Sequence, residues 1–253
     1  MTSSHDFRSG LGALRAAQKP ARGTAAYSRL VNRPVGRLVA AAVNTIGMTP
    51  NQATAISATL SGAGIALLAL AEPHVWTGFL VAVLLAGGYV MDSVDGQLAR
   101  LRGGGSKNGE WLDHTVDCVK TATLHLAVLI SWYRFPPVDD DRVLLIPLGF
   151  EVVAAVTYFG LILMPTLRPA GAHGSTLSEE TAPENPLRKY LLLPTDYGFV
   201  CWTFVLLGWD QGFVVLYALV FAAAAGALAI ALRKWWHETR AIDAAAAAEK
   251  APS

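Results

Sequence analysis

Four aspartates near the middle of the chain form two pairs with helical spacing. Asp92 and Asp95 are three residues apart, and Asp113 and Asp117 are four residues apart. On helices each pair lies on one face, and a short loop would gather all four carboxylates into one cluster. Mutual repulsion makes such a cluster untenable without cations, and oxygen ligands favour Mg²⁺, Mn²⁺ or Ca²⁺. The spacing therefore predicts a site for divalent metal ions.

Small residues and one cation accompany the aspartates. Gly96 and Ala99 lie beside the first pair, and Gly109 lies one turn before Asp113. Small residues let another backbone or a flat ligand approach a helix closely. Arg100 is placed to bind a phosphate through its bidentate guanidinium. The linker LRGGGSKN, with its three glycines, permits a tight reversal. Together these residues suit a pyrophosphate held by metal ions at a membrane surface.

The composition is that of a membrane protein. Of 253 residues, 53% are hydrophobic and only 15% are charged, which is too apolar for an ordinary soluble domain. The formal net charge of +1 gives no indication of nucleic-acid binding. Cys118 and Cys201 form neither a disulfide framework nor a zinc-ligand spacing. The basic N-terminal segment lacks an apolar core and a cleavage site, so we expect no secretory signal there.

Six apolar segments are long enough to cross a bilayer, which takes about 20 helical residues. They cover residues 53–71, 74–91, 110–133, 143–165, 190–208 and 212–232. We therefore predict an all-α integral membrane protein whose six-helix transmembrane catalytic domain spans residues 50–236. The other residues are assigned to a disordered basic N-terminus at 1–25, an interfacial helix at 26–47 and a cytoplasmic tail at 237–253.

The distribution of basic residues sets the predicted orientation. Seventeen Lys and Arg residues fall before the first span, after the last span or in the loops on that same side of the membrane. The opposite side carries only Arg134 and Arg142. By the positive-inside rule, both termini and the aspartate cluster are expected on the cytoplasmic side of the plasma membrane.

The segment before the first span has an amphipathic pattern. Arg29, Arg33 and Arg37 recur every four residues, with apolar residues largely between them. This pattern suits a helix lying in the cytoplasmic interface, with Pro34 bending it or setting its start. A positively charged topology anchor is the alternative.

The central motif resembles a known family signature. The stretch from Asp92 to Asp117 matches D-x2-D-G-x2-A-R-x8-G-x3-D-x3-D at all eight specified residues and all spacers. This is the signature of the CDP-alcohol phosphotransferase family of integral membrane enzymes, and the resemblance extends over residues 27–240. It implies a six-helix core preceded by an interfacial helix, in a homodimer.

The resemblance also implies a reaction. A hydroxyl attacks the β-phosphorus of a CDP-linked donor and CMP leaves, which is a metal-assisted phosphoryl transfer. Asp92, Asp95 and Asp113 would bind two divalent ions, Mg²⁺ or Mn²⁺. Asp117 would contribute to the metal site or take the proton of the attacking hydroxyl. His114 is expected to face away from its neighbour Asp113 on the helix, and to contact either the groups around the metal ligands or solvent.

Donor-binding residues follow from the same resemblance. Gly96, Ala99 and Gly109 would make room for the cytidine nucleotide, and Arg100 would contact its phosphates. Asn51 follows Thr-Pro, as in the entry segment of members that handle inositol phosphates, where it could help to hold the donor phosphates.

The motif identifies the substrates less specifically than it identifies the reaction. We predict CDP-diacylglycerol as the donor and a small polar alcohol, such as a polyol or an inositol phosphate, as the acceptor in phospholipid biosynthesis. A soluble donor such as CDP-inositol, with a polyol phosphate or a lipid as acceptor, is the alternative. Arg168, Arg188, Lys189 and Asp196 are candidate acceptor-binding residues. Similar inositol-phosphate enzymes carry a Lys-x-Arg pair near the end of span four, whereas residues 158–167 contain no basic residue, which argues against an inositol phosphate.

An ion-coupled transporter or a membrane scaffold is the alternative outside enzymes. Transporters place their ion sites near the bilayer midplane on broken helices, often within repeats. These carboxylates are expected at one end of the spans, and the sequence shows no repeat. The pattern therefore favours an enzyme.

Overall fold

The computed structural model describes residues 6–16, 25–169 and 193–249. These residues are mostly helical and include no strand, which confirms the predicted all-α class. The α-helices are α1 (Phe7–Ala16), α2 (Arg33–Thr45), α3 (Pro50–Leu70), α4 (Val75–Leu101), α5 (Lys107–Arg134), α6 (Leu145–Leu167), α7 (Tyr197–Thr203) and α8 (Asp210–Glu249). Shorter helical turns are the π-helical Ser28–Asn32 and the 3₁₀ turns Asp141–Leu144, Leu193–Thr195 and Phe204–Leu206.

Four of the described helices are long and apolar enough to cross a bilayer, namely α3, α4, α6 with the turn before it, and α8. Helix α5 has the length, at 28 residues, but its first half is polar because it carries half of the aspartate motif. The segment Tyr197–Leu206 is apolar but short for a span. The third and fifth of the six predicted spans are therefore not confirmed and stay predictions.

A capping box starts α3. The hydroxyl of Thr49 accepts a 3.2 Å hydrogen bond from the N–H of Gln52, whose side-chain oxygen accepts a 2.8 Å bond from the N–H of Thr49. Two N–H groups at the helix start are thereby satisfied. Pro50 occupies the first helical position, where its missing N–H costs nothing.

The chain reverses between α4 and α5 at two glycines. Gly103 and Gly104 have φ angles of 87° and 132°, a region that side chains other than glycine rarely adopt. Ser106 then caps α5, because its Oγ accepts a 3.0 Å hydrogen bond from the N–H of Gly109. The tight reversal predicted for the linker is confirmed.

Helices α3 and α4 approach closely at Gly88. The hydroxyl of Ser57 donates a 2.8 Å hydrogen bond to the carbonyl of Gly88. A Cβ added at Gly88 would lie 3.1 Å from the Ser57 carbonyl oxygen and would overlap the hydroxyl of Ser61. This contact lies one turn before Asp92 and fixes that end of α4 against α3.

Aromatic side chains join α5, α6 and α8 in the core. The ring of His125 stacks on Phe150 with centroids 3.8 Å apart, and its Nδ1 lies 2.6 Å from the hydroxyl of Tyr217. Trp132 and Phe213 pack edge-on at 5.9 Å. All five side chains are buried, so α5 is held firmly between its neighbours.

The N-terminal segment contains a packed helix, α1. Leu14 is completely buried and contacts a cluster that includes Ala40 of α2 and Val94 of α4, with Leu11 beside it. This differs from the disorder predicted for residues 1–25. Leu11 and Leu14 lie on one helical face. This short apolar stripe is hard to recognise in the sequence because the segment around it is rich in Ser, Gly and Arg.

Helix α2 lies where an interfacial helix was predicted. It buries small residues, including Ala40 and Ala41, and packs against α4. Val35 and Leu38 remain exposed, as expected for side chains in contact with lipid. Pro34 lies in the first turn, so it sets the start of α2. The position of α2 in the membrane interface stays a prediction.

Candidate active site

Helices α4 and α5 each carry one aspartate pair, and both pack against α3. The reversal at Gly103 and Gly104 turns α5 back along the same scaffold. Each pair has the spacing of a single helical face, so the carboxylates of the two helices can approach one another. They do approach one another, because Lys120 contacts Asp92 of α4 and Asp117 of α5 at the same time.

The carboxylate of Asp95 lies at the junction of α3 and α4. Its Oδ2 accepts a 2.7 Å hydrogen bond from the hydroxyl of Thr54, and the residue is only 7% exposed. A buried carboxylate needs compensating charge, and one neutral hydroxyl supplies none. Asp95 is therefore placed to receive a cation.

Lys120 connects the two aspartate pairs. Its Nζ lies 2.5 Å from a carboxylate oxygen of Asp92 on α4 and 2.6 Å from one of Asp117 on α5. The lysine side chain is 9% exposed. Oxygens from two helices thus converge on a single positive charge, which is the arrangement that the aspartate spacing predicts.

Sequence reasoning missed Lys120. It follows Asp117 at i+3, on the same helical face, in the part of α5 where the sequence becomes apolar. An ionisable residue in such a segment points to a functional partner, and this signal could have identified it.

The side chain of His114 is exposed, which agrees with the expectation that it reaches solvent. One ligand atom from each of Asp113, His114 and Asp117 nevertheless lies within 4.8 Å of the other two. His114 is therefore within reach of the aspartate pair on α5. Its main-chain carbonyl also accepts a 2.6 Å hydrogen bond from the hydroxyl of Tyr158, which ties α5 to α6.

These residues fit a divalent ion. Carboxylate oxygens with one imidazole nitrogen form a ligand set for Mg²⁺ or Mn²⁺, with manganese more tolerant of nitrogen. The Lys120 ammonium already marks a position at which oxygens of Asp92 and Asp117 hold a cation. The individual ligand roles predicted for Asp92, Asp95, Asp113 and Asp117 stay predictions.

The predicted donor-binding residues lie on the same three helices. Gly109 of α5 faces α3, because a Cβ there would lie 3.3 Å from Oδ1 of Asn51. A Cβ at Gly96 would meet only the guanidinium of Arg100, at 3.7 Å, so the surface beside Gly96 and Ala99 is open. Within the described residues, the buried Nε of Arg100 has no hydrogen-bond partner. A ligand phosphate would supply one.

The predicted acceptor residues are not gathered in the same way. Arg168 binds Glu238 of α8 through its Nε at 2.7 Å. The carboxylate of Asp196 accepts hydrogen bonds of 2.9 Å from the N–H groups of Ser28 and Gly198, so it caps α7 and holds the π-helical turn. Arg188 and Lys189 lie outside the described residues.

A cavity of about 630 Å³ opens between α5, α6, α7 and α8. It is mostly apolar, and the described residues that line it include no Lys or Arg. Its polar lining is Ser28, Tyr89, Thr121, His125, Thr157, Tyr158, Thr195, Asp196, Tyr197 and Trp235. Tyr89 lies one turn before Asp92, and Tyr158 contacts the backbone of His114, so the cavity adjoins the carboxylate cluster.

Comparisons with known proteins agree with this site. The family model described as CDP-alcohol phosphatidyltransferase matches residues 47–175, which include the whole aspartate motif. A phosphatidylinositol phosphate synthase of Corynebacterium glutamicum is 33% identical over 46% of this chain and 49% of its own length. An archaetidylinositol phosphate synthase of Pyrococcus horikoshii is 35% identical over 40% of this chain and 53% of its own length. The chain thus spans about half the length of these curated relatives.

Solved structures show the same fold. The crystal structure of Mycobacterium tuberculosis phosphatidylinositol phosphate synthase in complex with manganese and citrate superposes with a TM-score of 0.52 at 24% identity, covering 81% of this chain and 89% of that one. The structure of the same enzyme with CDP-DAG bound gives 0.53 at 22% identity, covering 81% and 94%. At these identities the likeness establishes the fold.

Proposed function

Because the chain belongs to the CDP-alcohol phosphatidyltransferase family, we propose that it transfers a phosphatidyl group from CDP-diacylglycerol to a small polar alcohol and releases CMP. The observation that carries the proposal is the convergence of Asp92 and Asp117, from two helices, on one positive charge. The names of the relatives, which are synthases of inositol-phosphate lipids, support a role in phospholipid biosynthesis.

Asp92, Asp95, Asp113 and Asp117 would hold Mg²⁺ or Mn²⁺ at this site. The bound metal would neutralise the pyrophosphate and stabilise the leaving CMP. The chain itself supplies orientation: Thr54 fixes the carboxylate of Asp95, and Tyr158 anchors the backbone at His114. Such partners keep ligand oxygens in place before the substrate arrives.

Asp117 is our proposed general base. It would take the proton of the attacking hydroxyl at a carboxylate oxygen.

The donor nucleotide would lie on the open face beside Gly96 and Ala99, with Gly109 opposite. The Nε of Arg100 is buried and has no hydrogen-bond partner among the described residues, and the guanidinium could bind two phosphate oxygens at once. Asn51, beside Gly109, would donate its amide N–H to the same phosphates.

The acceptor would enter from the adjoining cavity. Its described lining offers hydroxyl groups and no cation, which suits the hydroxyls of a polyol. For an inositol phosphate, Arg168, Arg188 or Lys189 would have to supply the positive charge. Asp196 already binds two main-chain N–H groups, so we propose that its role is to hold α7 in place.

For the membrane arrangement we propose six spans, with α2 in the cytoplasmic interface and both termini and the site on the cytoplasmic side of the plasma membrane. The positive-inside distribution of the sequence supports this orientation. Helix α8 continues from Asp210 to Glu249, so the tail proposed at 237–253 begins as a direct extension of the last span. A homodimer is the proposed assembly.

The test is CMP release by the purified full-length protein in lipid nanodiscs. CDP-diacylglycerol and CDP-inositol would each be offered with inositol phosphate, inositol, glycerol phosphate and serine, and the lipid products identified by mass. We expect release from CDP-diacylglycerol only with Mg²⁺ or Mn²⁺. Folded protein that releases no CMP from any donor would overturn the enzyme proposal, and release from CDP-inositol alone would reassign the donor.

Two aspartate variants provide the matched comparison. Asp92→Asn removes one charge from the cluster and should lower CMP release by about 100-fold or more. Asp139→Asn makes the same chemical change at an exposed loop position and should leave the rate unchanged.

A further inference from the structure

The ammonium of Lys120 lies between the carboxylates of Asp92 and Asp117. It contacts Asp92 at 2.5 Å and Asp117 at 2.6 Å, and it lies 3.5 Å from the hydroxyl of Ser57. Three helices, α3, α4 and α5, therefore each place an oxygen around one nitrogen. This is a coordination shell built by the protein around a cation of its own.

Burial holds the Lys120 side chain in this position. The residue is 7% exposed, and its side chain starts from the part of α5 where Leu124 and Val128 enter the core. Withdrawing the ammonium from its carboxylates would leave a buried charge without its ionic partners, which is costly. The lysine is therefore expected to stay in the cluster when a metal binds.

A second cation would compete with the ammonium for the same oxygens. A divalent ion that bridged Asp92 and Asp117 would need the carboxylate oxygens that now bind the ammonium, and the two positive charges would repel each other at short range. The resemblance to the family implies two divalent ions among the four aspartates. Lys120 already supplies one positive charge between the two helices.

We propose that Lys120 replaces one of the two divalent ions, so that this protein binds a single Mg²⁺ or Mn²⁺ per chain. The remaining ion is left with Asp95, Asp113 and the other oxygens of Asp92 and Asp117. The inference rests on the proposed function only in assuming that the aspartates bind metal. If the inference holds, the site contains one divalent ion and one positive charge, the Lys120 ammonium, that belongs to the chain itself.

The test counts bound Mn²⁺ in the full-length protein, which requires no turnover. Free Mn²⁺ is measured by electron paramagnetic resonance at room temperature during a titration of the detergent-solubilised protein. We expect one tightly bound ion per chain for the natural sequence and two for Lys120→Met, in which the side-chain length is kept and the charge removed. Lys107→Met, on the exposed first turn of the same helix, should leave the count at one.

A second readout distinguishes a shared site from two separate ones. Ions about 4 Å apart, as in two-metal sites, are spin-coupled and give a broadened low-temperature spectrum. We expect that spectrum in Lys120→Met and an isolated Mn²⁺ spectrum in the natural protein. Two coupled ions in the natural protein would overturn the proposal, because the second metal ion would then have displaced the lysine ammonium. A count of one in a folded Lys120→Met would overturn it as well.

The number of bound ions tests the inference about Lys120, and CMP release separately tests the proposed reaction. CMP release is measured on the same preparations. One bound ion without CMP release would leave the inference standing and refute the proposed reaction. CMP release with two bound ions in the natural protein would support the proposed reaction and overturn the inference about Lys120. If Lys120→Met does not fold, the ion count and spectrum of the natural protein still decide the question.

Discussion

The hydroxyl of Thr54 on α3 donates a 2.7 Å hydrogen bond to the carboxylate of Asp95 on α4. Both residues are buried, at 3% and 7% exposure, so water does not compete for the bond. The contact fixes the direction in which Asp95 presents its oxygens. In metal sites such partners of the ligands contribute strongly to affinity.

Replacing Thr54 by valine should therefore weaken metal binding. Thr54→Val keeps the shape of the side chain but removes the hydroxyl, and we expect Mn²⁺ affinity to fall by about 10-fold or more. Thr54→Ser retains the hydroxyl and should keep most of the affinity. Equal Mn²⁺ dissociation constants for the valine and natural proteins, measured by titration, would show that Asp95 needs no such orientation.

Asp117→Asn tests the proposed base. Asparagine can still accept a hydrogen bond from Lys120 but cannot take a proton, so we expect kcat for CMP release to fall by about 100-fold to 10,000-fold. The bound Mn²⁺ should remain. Near-full turnover with metal still bound would show that the base assignment is wrong. Loss of the metal would instead show that the other three aspartates cannot hold the ion without Asp117.

Gly88→Ala should destabilise the contact between α3 and α4. The added Cβ would overlap the hydroxyl of Ser61 and crowd the Ser57 carbonyl, and overpacking of this kind costs about 1–3 kcal/mol. Gly87→Ala is the matched control, because its Cβ would meet only Leu60 at an ordinary 3.7 Å. Thermal unfolding in detergent should show a lower midpoint for Gly88→Ala alone. Equal midpoints would argue that the helices separate at no cost.

The cluster could be predicted from sequence because it depends on local geometry. Helical periodicity alone places Asp92 with Asp95 and Asp113 with Asp117, and the glycines of the linker alone allow the reversal that joins the helices. Neither inference requires knowledge of distant contacts. The helical fold class follows in the same way from long apolar segments.

What escaped prediction depends on how the helices are rotated and on contacts between distant residues. The sequence places Lys120 on the face of Asp117, but its contact with Asp92, 28 residues earlier in the sequence, depends on how α5 is rotated. The bond between Asp196 and Ser28 joins residues 168 positions apart, so sequence alone could not show this structural contact beside the predicted acceptor-binding role of Asp196. Helix α1 was missed because its burial comes from α2 and α4 rather than from its own composition.

Asp196→Ala decides whether this aspartate is structural. Its carboxylate caps α7 through Gly198 and holds Ser28 of the N-terminal turn, and loss of a capping carboxylate costs about 0.5–2 kcal/mol. We expect a lower unfolding midpoint and an unchanged KM for the acceptor alcohol. Asp196→Asn keeps one acceptor oxygen and should lose less stability. If KM for the acceptor rises while the midpoint stays constant, Asp196 contacts the alcohol and the cavity beside it is the acceptor pocket.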